Sequence, residues 1–264
     1  KMDLKLKNKV ALVCAASEGL GKSAAMELAC EGAKVAICSR DETKLHLAQK
    51  EISETSRTEI FTFIADLRKP EEIKKLHSDL VEKIGTIDIL VNNVGGPPPG
   101  SFEELTDKDW QEAINLTMMS ALRMSYLVLP AMKDKKWGRI INISSVSVKT
   151  PVTNLFLSNS IRLGVLGWAK ALSDEVGQSG ITVNTVCPGS TRTNRIKSLF
   201  QDRSQSTGKT PEEIESLAAI EIPMKRIGEP EELAALIAFL ASERASYMTG
   251  LAIQVDGGSA RSYY

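Results

Sequence analysis

KVALVCAASEGLGKSAAMELACEGAKVAICS, residues 9–39, contains the pattern that decides the fold. The short runs at its two ends are rich in β-branched residues, which is typical of buried strands. Between them, Leu20, Ala24 and Leu28 recur at helical spacing. Gly32 then ends the helix. A strand, a helix and a second strand in this order predict two parallel strands joined by a right-handed crossover.

The rest of the chain repeats this alternation. Strand-like apolar runs cover residues 9–14, 34–39, 59–67, 86–96, 138–144, 181–189 and 251–258. Helical patterns cover residues 15–33, 41–56, 70–85, 107–136, 154–179 and 230–243. The alternation predicts an α/β fold of the Rossmann type, a doubly wound parallel sheet of about seven strands with helices on both faces. We expect one domain over residues 1–264, with a polar and basic insert at about residues 190–223 that covers a cleft.

Composition excludes several classes of protein. The 264 residues carry a formal net charge of +0, which argues against nucleic acid or an anionic membrane as the main partner. No apolar run reaches the roughly 18–20 residues that span a bilayer, and the amino end lacks the apolar core of a signal peptide. The four cysteines show neither a CxxC pair nor metal-site spacing. We therefore expect reduced thiols, no metal and a cytoplasmic location.

The turn after the first strand is the strongest cofactor signal. Gly19 and Gly21 open the following helix, where free backbone amides and the helix dipole can hold a pyrophosphate. Glycines at a tight turn of this kind can also serve packing alone, and that alternative stays open.

Five motifs in order carry a family resemblance. They are CAASEGLG at residues 14–21, NNVG at 92–95, NISS at 142–145, PGSTRT at 188–193 and VDGG at 255–258. Together they resemble the short-chain dehydrogenases/reductases, in the compact single-domain form that is similar to 3-oxoacyl-acyl-carrier-protein reductases. The resemblance implies a nicotinamide cofactor and an oxidoreductase. This chain departs from the family at Cys14-Ala15, where the family usually has Thr-Gly.

The resemblance also implies the residues that hold the cofactor. Residues 14–21 would bind its diphosphate and adenosine ribose, and the turn at Pro188 would bring Thr191 and Thr193 to the nicotinamide carboxamide. The full set that it implies is Ala15, Ser17, Glu18, Gly19, Leu20, Gly21, Ser39, Arg40, Asp66, Leu67, Asn93, Gly95, Arg162, Pro188, Gly189, Thr191 and Thr193. For Asp66 the alternative is a cap on the helix that starts at Pro70, and Asn92 is expected to tie neighbouring strands together.

The end of the second strand selects between the two nicotinamide cofactors. Proteins that prefer NAD usually carry an acidic residue there for the ribose 2′-hydroxyl. This chain has Ser39 followed by Arg40, and a hydroxyl beside a guanidinium suits a 2′-phosphate. Glu18 opposes this preference by repulsion, and Arg40 could also be a solvated strand end. We predict NADP(H), with NAD(H) as the alternative.

The catalytic residues of the family are a Ser, a Tyr, a Lys four residues after the Tyr, and an Asn on the preceding long helix. Ser145 and Asn115 match the Ser and the Asn. The position of the Tyr holds Ser158, and that of the Lys holds Arg162. The following residues, GVLGWAKALSDEV, match the family without a gap and fix this alignment.

The substitutions leave no obvious proton donor. A phenol has a pKa of about 10 that a nearby cation can lower, whereas a serine hydroxyl is a far weaker acid. Arginine, with a pKa above about 12, is no base for it. His46 and His77 are predicted in outer helices, and Lys149 and Cys187 are the remaining substitutes. Otherwise a proton would come from water, relayed through Ser145, Ser158 and Asn115.

Two main hypotheses follow. The first is an NADP(H)-dependent oxidoreductase that transfers hydride to or from a small carbonyl, alcohol or acyl substrate, with an atypical proton-transfer site. The alternative is a catalytically impaired nucleotide-binding protein of the same fold, acting as a sensor or in an assembly. A third hypothesis is an enzyme that uses this fold without a cofactor. The resemblance also implies a homotetramer, or a homodimer, formed through the helices at residues 107–136 and 154–179; the alternative is that their apolar faces all belong to the core. The tail at 260–264 ends in two aromatic residues, and we expect it to pack on a neighbouring subunit.

Overall fold

A computed structural model describes residues 2–262, apart from the side chain of Ser206. Seven strands form one sheet in the order β3-β2-β1-β4-β5-β6-β7, and every pairing is parallel. The strands are β1 (Val10–Val13), β2 (Lys34–Ser39), β3 (Ile60–Ile64), β4 (Ile89–Asn92), β5 (Gly138–Ile143), β6 (Ile181–Pro188) and β7 (Ala252–Val255). The predicted Rossmann-type sheet of about seven strands is confirmed.

Nine α-helices of the described chain connect or flank the strands. They are α1 (Gly19–Cys30), α2 (Glu42–Ser56), α3 (Pro70–Ile84), α4 (Asp107–Ala113), α5 (Ser120–Lys135), α6 (Phe156–Val176), α7 (Asn194–Thr207), α8 (Pro211–Glu221) and α9 (Pro230–Ala241). Helices α1, α2 and α9 bury their apolar side chains on one face of the sheet. Helices α3, α5 and α6 cover the other face. The parallel strands all end at one edge of the sheet, and the strand order reverses between β1 and β4. Doubly wound folds bind their ligands at such a point.

The helical stretch predicted over residues 107–136 is divided into three pieces. A π-helical turn, Ile114–Met119, separates α4 from α5. Such turns insert one residue into the helical ladder and occur frequently at functional sites. Thr117, within this turn, is buried. Pro130 lies inside α5 rather than ending it.

The insert is an ordered helical pair. Helices α7 and α8 share a small apolar core with Phe200, Ile214, Ile222 and Ile227. The chain returns to the sheet beside the VDGG segment, where Gly257 adopts a φ of +63° and accepts a hydrogen bond from the Met224 amide. This hydrogen bond fixes the carboxyl end of the insert beside the residues that follow β7.

Residues 2–262 contain neither a helix suited to cross a membrane nor a cluster of metal-ligand side chains. No helix there is both long enough and apolar enough to cross a membrane. Nor do three or more His, Cys, Asp or Glu side chains of residues 2–262 gather as metal ligands would.

Candidate active site

A cleft of about 610 Å³ opens at the carboxyl edge of the sheet. The turn before α1, the ends of β2 to β6, the first turns of α6 and the start of α7 all contribute to its walls. Of the predicted site residues, those that line it are Ala15, Ser17, Glu18, Gly19, Leu20, Ser39, Arg40, Asp66, Leu67, Asn93, Gly95, Ser145, Ser158, Arg162, Pro188, Gly189, Thr191 and Thr193. One continuous cavity therefore joins the turn at the first strand to the residues on α6.

Gly21 does not line the cleft, because it packs beneath the turn. A β-carbon there would lie 2.6 Å from Ala15 O and 2.7 Å from Asn93 Nδ2. Asn93 Nδ2 itself donates a 3.1 Å hydrogen bond to Ala15 O. The absence of a side chain at Gly21 thus lets the amide of Asn93 hold the turn from below, so this glycine serves packing.

Ala15 adopts a left-handed backbone conformation with a φ of +46°. Only glycine reaches that region without steric cost. The Ala that stands where the family usually has Gly is therefore held in a strained conformation at the rim of the cleft.

Asn115 lies in the π-helical turn and does not line the cleft. Its neighbour Leu116 lines the cleft instead, and Thr117 faces a second, smaller cavity. The role of Asn115 in proton transfer stays a prediction.

The predicted repulsion from Glu18 is balanced by partners that the sequence pattern did not reveal. Glu18 Oε2 accepts hydrogen bonds from Asn194 Nδ2 at 3.0 Å and from Lys44 Nζ at 3.2 Å. The bond from Asn194, followed by the bond and charge of Lys44, lowers the pKa of this carboxyl. Asn194 is 176 residues away in sequence, so only the folded chain brings it near.

Asp66 does not cap α3 through its side chain. Its carboxylate accepts hydrogen bonds from the Arg68 side chain and backbone, and these bonds lower its pKa. The N-cap residue of α3 is Lys69, which makes no capping bond through its side chain. Asp66 remains available at the wall of the cleft, beside Arg40.

Three serines cluster where β5 ends and α6 begins. Ser145 Oγ accepts a 3.1 Å hydrogen bond from the Ser147 amide. The hydroxyl oxygens of Ser147 and Ser158 lie 3.5 Å apart and are buried. Sequence matching missed Ser147, which no motif distinguishes from the other serines of the loop.

Arg162 is buried, with 7% of its surface exposed. Its NH1 group donates to the carbonyl oxygens of Ile143 at 3.1 Å and Ser144 at 3.2 Å, which fixes the guanidinium at the end of β5. Burial, reinforced by repulsion from Arg195, lowers the pKa of Arg162 to about 10. The value above about 12 assumed from sequence is therefore too high, because burial penalises the charge. The group is still a cation at neutral pH.

A second cavity of about 20 Å³ lies behind Arg162. Thr117 Oγ1, Asn142 Nδ2 and Ser144 Oγ have no hydrogen-bond partner within the described chain, and all three residues line this cavity. The volume accommodates about one water molecule, which could satisfy these groups. Asn92 Nδ2 donates a 2.9 Å bond to Asn142 Oδ1 and so ties β4 to β5, as predicted.

The turn after β6 shapes the opposite wall. Gly189 has no room for a side chain, since a β-carbon would lie 2.7 Å from the Asp256 β-carbon. Thr191 Oγ1 donates to Gly189 O at 3.2 Å, and Thr193 Oγ1 accepts from the Ile196 amide as the N-cap of α7. The turn therefore holds both threonines at the cleft.

The substitute proton donors do not line the cleft. His46 and His77 lie on the outer helices α2 and α3, as predicted. Neither Lys149 nor Cys187 lines the cavity. Burial raises the pKa of the Cys187 thiol to about 11, so it is protonated and inert at neutral pH.

Comparison with known proteins agrees with this geometry. A model of the family described as enoyl-(acyl carrier protein) reductase matches residues 14–260. The 3-oxoacyl-(acyl-carrier-protein) reductase FabG of Buchnera aphidicola subsp. Schizaphis graminum is 35% identical over 257 residues, which cover 97% of this chain and 98% of that protein.

Two solved structures superpose closely. L-sorbose reductase from Gluconobacter frateurii, complexed with NADPH and L-sorbose, gives a TM-score of 0.94 at 30% identity, covering 99% of this chain and 100% of that chain. A variant of the actinorhodin polyketide ketoreductase with NADPH gives 0.93 at 34% identity, covering 96% and 98%. The chain is thus a member of the short-chain dehydrogenase/reductase superfamily, within the family described as enoyl-(acyl carrier protein) reductase.

Proposed function

We propose that this protein is an NADP(H)-dependent oxidoreductase that transfers hydride to or from a small carbonyl, alcohol or acyl substrate. One observation carries the proposal: a single cleft joins the strand–turn–helix motif, the Ser39-Arg40 pair and the Ser145, Ser158 and Arg162 cluster. Two relatives of known structure, L-sorbose reductase and the actinorhodin polyketide ketoreductase, hold NADPH, which supports the choice of cofactor.

The residues at the start of α1 fit a dinucleotide. Glu18, the N-cap of α1, makes no capping bond through its side chain, and the first turn of α1 contains no acidic residue. The amides of that turn are therefore left to a phosphate, whose charge the helix dipole favours. Gly19, at a φ of +57°, keeps the wall of the cleft open there, facing Thr193.

The far end of the cleft fits a 2′-phosphate. Ser39 and the exposed Arg40 line it, together with Lys44 and Arg68. Lys44 and Asn194 engage the Glu18 carboxylate, which reduces the repulsion that an added phosphate would meet there. A guanidinium supplies several donors and a fixed charge to a phosphate. We infer a preference for NADP(H) over NAD(H).

At the catalytic end, we assign the family's Tyr and Lys positions to Ser158 and Arg162. Bound NADPH supplies a hydride from its nicotinamide ring. The oxygen of Ser145 accepts a bond from the Ser147 amide, so its O–H remains to donate to a substrate carbonyl. Arg162 keeps its charge at neutral pH and stabilises negative charge that develops on that oxygen.

Proton transfer is the atypical step. No imidazole or carboxylate of the described chain contacts the hydroxyl of Ser158, whose near neighbour is the Ser147 hydroxyl. A proton then comes from solvent through these hydroxyls, with Asn115 as a further candidate. Losing a positioned acid costs typically about 10²–10⁴-fold in rate. Conjugated acyl substrates tolerate this loss best, because their reduced carbon can take its proton from water.

We assign substrate selection to the insert at about residues 190–223, which contributes Ile196 and Leu199 to the wall beside Arg195.

Assembly into an oligomer is a separate proposal. Tyr126 on α5 and Leu163 on α6 are exposed by 78% and 52% in the single chain, which supports burial of these helices in a homotetramer or homodimer. Light scattering of Leu163→Glu tests it, since a lower mass than that of the parent protein is expected. The predicted contact through Tyr263 and Tyr264 lies outside the described residues, and a cytoplasmic location remains part of the proposal.

The activity is tested in two steps. Purified protein is titrated with NADPH and NADH by fluorescence. It is then assayed with NADPH and ketones or enoyl thioesters for reduction, and with NADP⁺ and alcohols for oxidation. Tighter binding of NADPH than of NADH, with turnover of one substrate class, is the expected result. Tight binding with no turnover on the whole panel would support the alternative of a nucleotide-binding protein without catalysis. Failure to bind either cofactor would contradict both the oxidoreductase and this alternative.

A further inference from the structure

Carboxylates and cations are distributed unevenly between the two ends of the cleft. At the adenosine end the carboxylates have bonding partners: Glu18 meets Lys44, and Asp66 meets Arg68. The Asp41 carboxylate caps α2 by accepting from the Lys44 amide. These three are the only carboxylates among the described residues of the wall.

The wall of the cleft at its catalytic end contains the cations Arg162 and Arg195 but no described carboxylate. Arg162 donates through NH1 to two backbone carbonyls, while its Nε and NH2 groups make no hydrogen bond to any described residue. A buried guanidinium that lacks an anion is costly, because its charge has lost water without gaining a partner. The site is therefore built to receive negative charge from a bound molecule.

Arg195 adds a second guanidinium to the same end. It stands in the first turn of α7 and reaches across the cleft, where NH2 donates a 2.9 Å hydrogen bond to Pro97 O. A β-carbon on Gly96 would lie 3.3 Å from its Nε and NH2 atoms, so the glycine provides room for it. Partial burial lowers the pKa of Arg195, and the charge of Asp202, farther along α7, opposes that shift.

Apolar side chains surround this pair of cations. The wall near Arg195 and Ser158 is formed by Val146, Val152, Leu155, Ile196 and Leu199. An apolar wall with two converging guanidinium groups suits a short hydrocarbon chain that ends in a carboxylate.

We propose that the substrate carries a carboxylate that Arg195 binds, with Arg162 facing the reacting oxygen, so that the protein acts on small oxo or enoic acids rather than on neutral ketones. This substrate class rests on the proposed function. The diphosphate of the cofactor is the competing anion, and the experiment must separate the two.

Binding can be measured without turnover. Hexanoate and hexanamide, which differ in charge but hardly in shape, are titrated by calorimetry into the protein with and without saturating NADPH. We expect hexanoate to bind about tenfold or more tightly than hexanamide, as a charge-assisted bidentate contact implies. Equal binding of the two compounds would overturn the proposal, whether or not the protein turns over any substrate.

Variants assign the effect to one residue. Arg195→Gln is expected to bring the ratio of the two affinities close to one, and Arg195→Lys to keep part of it. Arg192→Gln is the matched control, because Arg192 lies three residues earlier and already pairs with Glu215 and Glu229. An Arg195→Gln variant that keeps the ratio would also overturn the proposal. If that variant loses affinity for NADPH as well, the guanidinium serves the cofactor instead.

Discussion

The hydroxyl oxygen of Ser158 lies 3.5 Å from that of Ser147, on the side of the cleft where a proton donor is expected. Two hydroxyls in contact can relay a proton but neither is acidic enough to supply one at neutral pH. The charge at this place is provided by Arg162, four residues later on the same face of α6. Under the proposed function, the cleft therefore keeps a positive charge that can stabilise the transition state but lacks a positioned acid.

Restoring the acid should raise ketone reduction. In the double variant Ser158→Tyr with Arg162→Lys, a phenol projects into a cleft of about 610 Å³, where a cation can lower its pKa. We expect kcat for a saturated ketone to rise by about 10²–10⁴-fold. Ser158→Phe with Arg162→Lys has the same bulk without the hydroxyl, and equal rates for the two double variants would refute the alignment at this position.

Ligand binding should depend on the ionisation of Arg162. Burial and repulsion from Arg195 lower its pKa to about 10, so the charge is present at neutral pH and is lost as the pH rises through that value. NADPH dissociation constants should therefore increase above about pH 10 in the wild type and show no such step in Arg162→Gln. The free energy of unfolding changes in the opposite direction. Between about pH 10 and the ordinary pKa of arginine, the unfolded chain binds the Arg162 proton and the folded chain does not, so the free energy of unfolding rises with pH over that range. A flat profile for wild-type NADPH affinity up to pH 11 would contradict the assignment.

The strained turn offers a test of stability. Ala15→Gly should stabilise the protein by up to about 1 kcal/mol, because the cost of the left-handed conformation exceeds the added entropy of glycine in the unfolded chain. The midpoint of thermal unfolding measures it. Ala16→Gly is the control, since Ala16 is fully buried without a positive φ and should lose about 1 kcal/mol. Equal losses in the two variants would mean that Ala15 carries no strain.

Cofactor preference should follow the charge at Arg40. Arg40→Asp places an acid at the position where NAD-preferring proteins often have one nearby. We expect the affinity for NADPH to fall about 10- to 100-fold while that for NADH stays equal or improves. Arg57→Asp, on the same face of the sheet at the far end of α2, makes the same charge change away from the cleft. A parallel loss for both cofactors in Arg40→Asp would argue against contact with the 2′-phosphate.

The fold could be predicted because its signals are local. Apolar runs of four to eight residues and the helical spacing between them are visible in the sequence, and parallel strands bury such runs on both faces. Most of the predicted residues that line the cleft could be identified from the sequence because they belong to motifs at the ends of strands. Only Gly21 and Asn115 of the predicted set lie away from the wall.

The contacts that tune the site could not be predicted, because they join distant segments. Asn194 on α7 reaches Glu18, and Arg195 reaches Pro97, over separations that no local pattern encodes. The π-helical turn packs its Ile114 and Met118 side chains against α6, a contact between segments that lie far apart in the sequence. The lowered pKa of Arg162 depends on burial in the finished fold.

Oxidation of NADPH by the wild-type protein, mixed in stopped flow with a panel of ketones and conjugated acyl compounds that includes free acids, tests the central claim most directly. We predict oxidation with at least one compound, faster with NADPH than with NADH, and a loss of at least about 10²-fold in Arg162→Gln. Tight binding of NADPH without oxidation by any compound, or an Arg162→Gln variant as fast as the wild type, would contradict it.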